Sequence, residues 1–94
     1  ADRFSHAIRA VEQMLFYTLE QRVASYLLEE SRRLETDTLQ VTQEQLAQAI
    51  GSAREAVTRT LKKLSAGEMV ELFRGGVRIR DRKGLEQLVE RGGL

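Results

Sequence analysis

The chain has 94 residues, 41% hydrophobic and 31% charged, with a net charge of +1. That length suits one small domain, or a domain with one appended helix, around a modest core. Cysteine is absent, which excludes disulfide staples and thiolate metal sites and fits a cytoplasmic chain. No apolar run of membrane length and no signal-peptide pattern occurs either.

Residues 2–34 read as helix, with few breakers. Phe4, Ile8, Val11, Leu15 and Thr18 follow an i, i+4, i+7 rhythm. Leu19, Val23, Tyr26 and Leu27 continue an apolar face, on the same helix or on a separate one after a bend. A small domain has little need for a helix before Leu19. Its stripe is expected to pair with a second copy through residues 4–18, the alternative being that it folds back on its own domain. This divides the chain into a dimerisation or linker helix, 1–18, and a domain, 19–94. Leu34 to Val41 is a polar connection that could end in a short strand at Leu39–Val41.

Thr42 to Leu64 is the most informative stretch. It reads as two short helices around a tight turn, the pattern of a helix-turn-helix. Ala47 is small where the two backbones approach, and Gly51 supplies the positive φ that the turn needs. Val57 plugs back between the helices. Leu46 and Ile50 mark the inner face of the first helix. Ala53, Val57, Leu61 and Leu64 mark that of the second, expected over 53–64. Thr42 with Gln45, and Ser52 with Glu55, match the capping-box signature. Thr42 and Ser52 therefore stand at helix N-termini, where hydroxyls and free N–H groups suit phosphate.

The outer face of the second helix carries Arg54, Glu55, Thr58, Arg59 and Lys62. Arginine can bond guanine O6 and N7 together, glutamate can accept from cytosine N4, and the threonine methyl can touch that of thymine. We read Arg54, Glu55, Thr58 and Arg59 as base-reading and Lys62 as a phosphate contact. The plainer reading is a solvated face on which Glu55 and Arg59 form an i, i+4 ion pair.

Ser65-Ala66-Gly67-Glu68 stops this helix, with Gly67 as C-cap. Met69–Phe73 and Val77–Arg80 then read as two strands around Arg74-Gly75-Gly76. Val77 and Ile79 point one way, Arg78 and Arg80 the other. A hairpin directly after the recognition helix is a wing, with Arg74 and Arg78 placed for phosphate or the minor groove. Asp81 to Glu90 predicts a last short helix with Leu85, Leu88 and Val89 inward. Gly92-Gly93 ends it in a frayed tail. The fold class is thus mainly α with a small β-hairpin: a winged helix-turn-helix preceded by a long dimerisation-type helix.

Charge distribution agrees. Residues 42–83 carry nine Lys or Arg against five Asp or Glu, while residues 1–41 carry five against seven. The basic surplus lies in the segment that already reads as a nucleic-acid binder. Catalysis has little support: His6 is the single histidine and reads as a surface residue, and Gly75-Gly76 is too short to cradle phosphates. No catalytic residue and no metal ligand is expected. The remaining alternative is a winged helix used for protein–protein contact, which would sooner expose apolar residues than Arg54 and Arg59.

Leu19-Glu20-Gln21-Arg22-Val23-Ala24, Thr42-Gln43-Glu44-Gln45-Leu46-Ala47, Gly51 to Arg59, Leu61-Lys62-Lys63-Leu64 and the hairpin followed by Arg80-Asp81-Arg82 together resemble the DNA-binding end of the Crp/Fnr (catabolite activator-like) regulators. The resemblance runs from about Leu19 to Leu88. It implies a homodimeric bacterial transcription factor that binds double-stranded DNA at a palindrome and contacts RNA polymerase. It also implies a TGTGA-related half-site, with Arg54 on a guanine, Glu55 on a cytosine, and Arg59 on a guanine while contacting Glu55. Family members carry an N-terminal β-barrel sensor, joined by a long dimer helix. No such sensor is present here, so no cofactor is expected in this chain, and the chain is expected to be a fragment or a naturally short relative. One departure is Ala53, where the family often has a phosphate-binding Ser or Thr. Thr58 is another, standing where smaller residues are common.

Overall fold

A computed structural model describes residues 18–91. Its first element, α1 (Leu19–Leu34), opens with a complete capping box. The Thr18 hydroxyl accepts from the Gln21 N–H, and the Gln21 carboxamide oxygen accepts from the Thr18 N–H at 2.9 Å. Thr18 is extended, with φ −70° and ψ 166°. Thr18 therefore starts this helix as its N-cap and is not a member of the helical rhythm expected through it. The dimer stripe at Phe4, Ile8, Val11 and Leu15, and His6 with it, lie outside the described residues, as does the Gly92-Gly93 tail.

Val23, Ala24, Leu27 and Leu28 of α1 are buried, and the helix packs against the three later helices and the first strand. It ends at Glu35, whose left-handed backbone lets its N–H close on the Ser31 carbonyl. The strand expected at Leu39–Val41 lies slightly earlier, as β1 (Thr38–Leu39). It pairs with the later hairpin, so the expected hairpin is one part of a three-stranded antiparallel sheet. Burial fixes this register: Leu39 is in the core, opposite Val77.

The helix-turn-helix is built from α2 (Gln43–Ile50) and α3 (Arg54–Ala66). The Thr42–Gln45 capping box forms as read, and Gly51 takes φ +78° at the turn. The Ser52–Glu55 box does not form. Gly51 and Ser52 both donate their N–H to the Ala47 carbonyl, at 2.8 and 3.0 Å, so Ser52 still belongs to the end of α2. The N-cap of α3 is then Ala53, which has no side chain to cap with and is exposed rather than part of the inner stripe. Val57, Leu61 and Leu64 do form that stripe, fully buried against Leu46 and Ala47, while Ile50 is half-buried. α3 also runs two residues past the expected end. Gly67 is its C-cap, but the left-handed residue is Glu68, at φ 60°.

The wing strands are β2 (Val70–Phe73) and β3 (Gly76–Ile79). Phe73 pairs with Gly76, which leaves a two-residue turn at Arg74-Gly75. Val77 and Ile79 are buried and Arg78 and Arg80 exposed, as the alternation required. In α4 (Arg82–Arg91) Leu85 is fully buried, with Leu88 and Val89 packed at the edge of the core. The Asp81 carboxylate accepts from the Gly84 N–H at 2.9 Å and caps the helix. Arg82 ties α4 to the residue before β1 through Asp37 at 2.5 Å, and to α1 through the buried Ser31 hydroxyl. Among the described residues no helix is long and apolar enough to cross a membrane.

Candidate nucleic-acid interface

The buried stripe of α3 dictates what its other side presents. With Val57, Leu61 and Leu64 turned inward, positions 54, 58 and 62 form one outward row, and 55 and 59 a second. Arg54, Glu55, Arg59 and Lys62 are exposed, and Thr58 is half-buried. No hydrogen bond or ion pair engages the side chains of Arg54, Glu55, Arg59 or Lys62 among the described residues. Glu55 and Arg59 thus do not form the surface ion pair of the plainer reading, nor the mutual contact that the resemblance implied.

Elsewhere many cations are neutralised. Arg33 meets Glu30 at 2.6 Å, Lys63 meets Glu20 at 3.1 Å, and Arg82 meets Asp37. Arg80, Lys83 and Arg91 are unpaired among the described residues too, so free charge alone does not mark the site. What marks α3 is free charge running from the start of a helix whose opposite face is fully buried. That start also lacks a side-chain cap, since Ala53 provides none. The first N–H groups of α3 have no intrahelical acceptor and are available to an anion.

A groove runs beside this helix start. Thr42, Gln43 and Glu44 at the head of α2, Arg54 at the head of α3, and Phe73 and Arg74 at the wing tip all line it. The fold therefore brings together three of the residues singled out from sequence, Thr42, Arg54 and Arg74. It does not bring Ser52, Lys62 or Arg78 to this groove. Ser52 is half-buried in the turn between the helices. Lys62 lies two turns along α3. Arg78 is exposed on β3 and sits 3.8 Å from Glu71, its cross-strand partner.

Three contributors escaped the sequence reading. Gln43 accepts a hydrogen bond from the Thr58 hydroxyl, joining the first helix to the outward row of the second. Arg22 of α1 donates to the Ile50 carbonyl, one of the unpaired carbonyls at the end of α2, and so anchors the turn from behind. Phe73 remains 41% exposed beside Arg74 at the wing tip. The first two contacts span 15 and 28 residues and leave no local signature. Among the described residues no group of three His, Cys, Asp or Glu could hold a metal ion.

Comparison with known proteins agrees with this geometry. Residues 21–88 match the profile of the Crp-like helix-turn-helix domain. The transcriptional regulator SdrP of Thermus thermophilus is 32% identical over 95% of this chain and 47% of its own length. A Crp/Fnr-family transcriptional regulator from Eubacterium rectale superposes with a TM-score of 0.91 at 40% identity, over 95% of this chain and 41% of that one. The catabolite activator protein of Thermus thermophilus superposes with a TM-score of 0.74 at 29% identity, over 96% of this chain and 42% of that one. The chain spans about half the length of these relatives.

Proposed function

Because this chain belongs to the Crp/Fnr family of transcriptional regulators through its Crp-like helix-turn-helix domain, we propose that it reads DNA sequence with α3 in the major groove. The observation that carries this is the exposed, unpaired set Arg54, Glu55, Arg59 and Lys62 on one face of a helix whose opposite face is fully buried. In this proposal Arg54 and Arg59 each take a guanine, Glu55 accepts from a cytosine N4, and Thr58 contributes to a neighbouring base pair of a TGTGA-like half-site. Thr42, Ser52, Lys62, Arg74 and Arg78 hold phosphates on either side, with the free N–H groups of α3 adding to them.

The chain acts as a homodimer through residues 4–18. A symmetric dimer calls for a palindrome whose half-sites lie about 34–36 Å apart, one turn of B-DNA. Contact with RNA polymerase belongs to the same proposal. So does a cytoplasmic location, and so does an effector bound by a sensor region outside this chain. On this reading the chain contributes recognition and no chemistry of its own.

Selection of bound DNA from a random pool tests the proposal directly. A palindromic TGTGA-like consensus is the expected result, and recovery of no consensus refutes it. Binding to the selected site should also weaken steeply with salt. Three cations per chain, Lys62, Arg74 and Arg78, give six per dimer and a log–log slope of about −5. A flat salt response rules out the phosphate contacts.

A further inference from the structure

We propose that Gln43, which lies outside the recognition helix, is a specificity-determining residue that sets the base preference of Thr58 by holding its hydroxyl. The inference rests on the DNA-reading proposal above. Thr58 stands on the outward row of α3, between Arg54 and Lys62 and next to Arg59. Its Oγ1 donates to Oε1 of Gln43, the first residue of α2. A threonine hydroxyl has one hydrogen to give, and here that hydrogen is spent inside the protein. Thr58 then has no donor for guanine O6 or N7, for adenine N7 or for thymine O4. With its oxygen turned toward α2, it offers its methyl group to the DNA. The apolar partner for a methyl in the major groove is the C5-methyl of thymine.

Gln43 is suited to this role for a second reason. Its carboxamide oxygen is occupied by Thr58, but its two N–H donors meet no acceptor among the described residues. It lines the groove shared by Thr42, Arg54 and Arg74, and the first helix of such a motif crosses the DNA backbone. A phosphate bound by the Gln43 nitrogen would fix the carboxamide with its oxygen on Thr58. One side chain thereby links a backbone contact to a base preference.

The test is selection from a random DNA pool with the wild-type chain, Gln43→Ala, Thr58→Val and Thr58→Ala. Wild type and Thr58→Val should prefer thymine by about fourfold at one base pair of the half-site, the factor that one buried methyl group supplies. Thr58→Ala should lose that preference. Gln43→Ala frees the hydroxyl, so the thymine preference should flatten at that base pair while the guanine positions of Arg54 and Arg59 stay as they were. A Gln43→Ala chain that binds all sequences more weakly but keeps its thymine preference overturns the inference. So does a Thr58→Val chain that loses the preference along with Thr58→Ala. Thermal unfolding of each variant shows whether it folds, and Thr58→Val tests the idea with Gln43 untouched. A wild-type consensus without a thymine at this place defeats the inference alone. Absence of any consensus defeats the DNA-reading proposal, and this inference with it.

Discussion

Replacing two glycines by alanine should have different consequences, because one is needed for its backbone conformation and the other for a close approach. At Gly51 a Cβ would meet nothing within 4 Å, so the whole cost is the left-handed backbone at φ +78°. That conformation costs an alanine about 1–2 kcal/mol. Part is offset by the stiffer unfolded chain, by about 0.4–1 kcal/mol. Gly51→Ala should therefore lose ~1 kcal/mol, and Gly51→Asn less, because asparagine tolerates this region better. Gly76 is the opposite case, because its φ lies outside the left-handed region. There a Cβ would sit 2.5 Å from the Leu39 carbonyl oxygen and 2.6 Å from Cε2 of Phe73, against 3.4–4 Å for ordinary contact. The half-exposed Phe73 ring can swing aside, but the Leu39 carbonyl is backbone and belongs to β1. Accommodation requires β1 to part from β3, where Leu39 pairs with Val77.

Overpacking of this kind costs about 1–3 kcal/mol. For a domain of this size each kcal/mol lowers Tm by about 4–8 °C. Urea and thermal unfolding of the variants give the comparison, with equal m-values confirming that one transition is being followed. DNA binding adds a second readout. Gly51→Ala should keep the wild-type consensus, whereas Gly76→Ala should weaken binding through a displaced wing. If Gly76→Ala is as stable as wild type, or Gly51→Ala is the more damaging of the two, the packing of β1 against the wing described above is wrong.

Arg54→Ala should cost about 1–3 kcal/mol in binding and relax discrimination at one base pair. An equal loss across all sequences would instead make Arg54 a phosphate contact. Removing residues 1–17 should weaken self-association, and an unchanged sedimentation profile would eliminate the proposed dimer segment. Arg22→Met removes the charged donor from the Ile50 carbonyl and should destabilise the domain by about 1.5–3 kcal/mol. A neutral effect on urea unfolding would show that the turn is held without it. Burial raises the Tyr26 phenol above its ordinary value, and the Glu30 carboxylate pushes the same way, against a smaller opposing effect of Arg33. A raised value in the fold means that the neutral phenol is favoured there. This contribution is complete below the unfolded value near 10 and is lost as pH rises through the folded one. Wild type should therefore lose stability relative to Tyr26→Phe above about pH 10, and a constant difference from pH 8 to 11 would contradict the assignment.

Local signals suffice where a single contact decides the outcome. The Thr42–Gln45 box joins residues three positions apart, and the Gly51 turn needs only one residue free to take positive φ. The same signature misled at Ser52–Glu55, because two helix ends compete for Ser52. Its N–H closes α2 on the Ala47 carbonyl, and the start of α3 moves to Ala53. The two departures from the family pattern, Ala53 and Thr58, each have a physical consequence. Ala53 leaves the first N–H groups of α3 uncapped, and Thr58 has a hydroxyl already in use.

The amino-acid sequence by itself determined the order of elements, the buried stripe of α3, the alternation of the wing and the residues turned outward. Each of these follows from periodicities of 3.6 and 2 and from side chains a few positions apart. It also carried the family resemblance, which depends on the same local runs. Only the tertiary structure decided that β1 completes the sheet beside β3, that Arg22 anchors the turn, and that Gln43 occupies the hydroxyl of Thr58. Those partners are 15 to 40 residues apart in the chain. They meet because burial of α1 against the other elements fixes where each lies, and no pattern along the chain records which distant side chains then come within hydrogen-bonding reach.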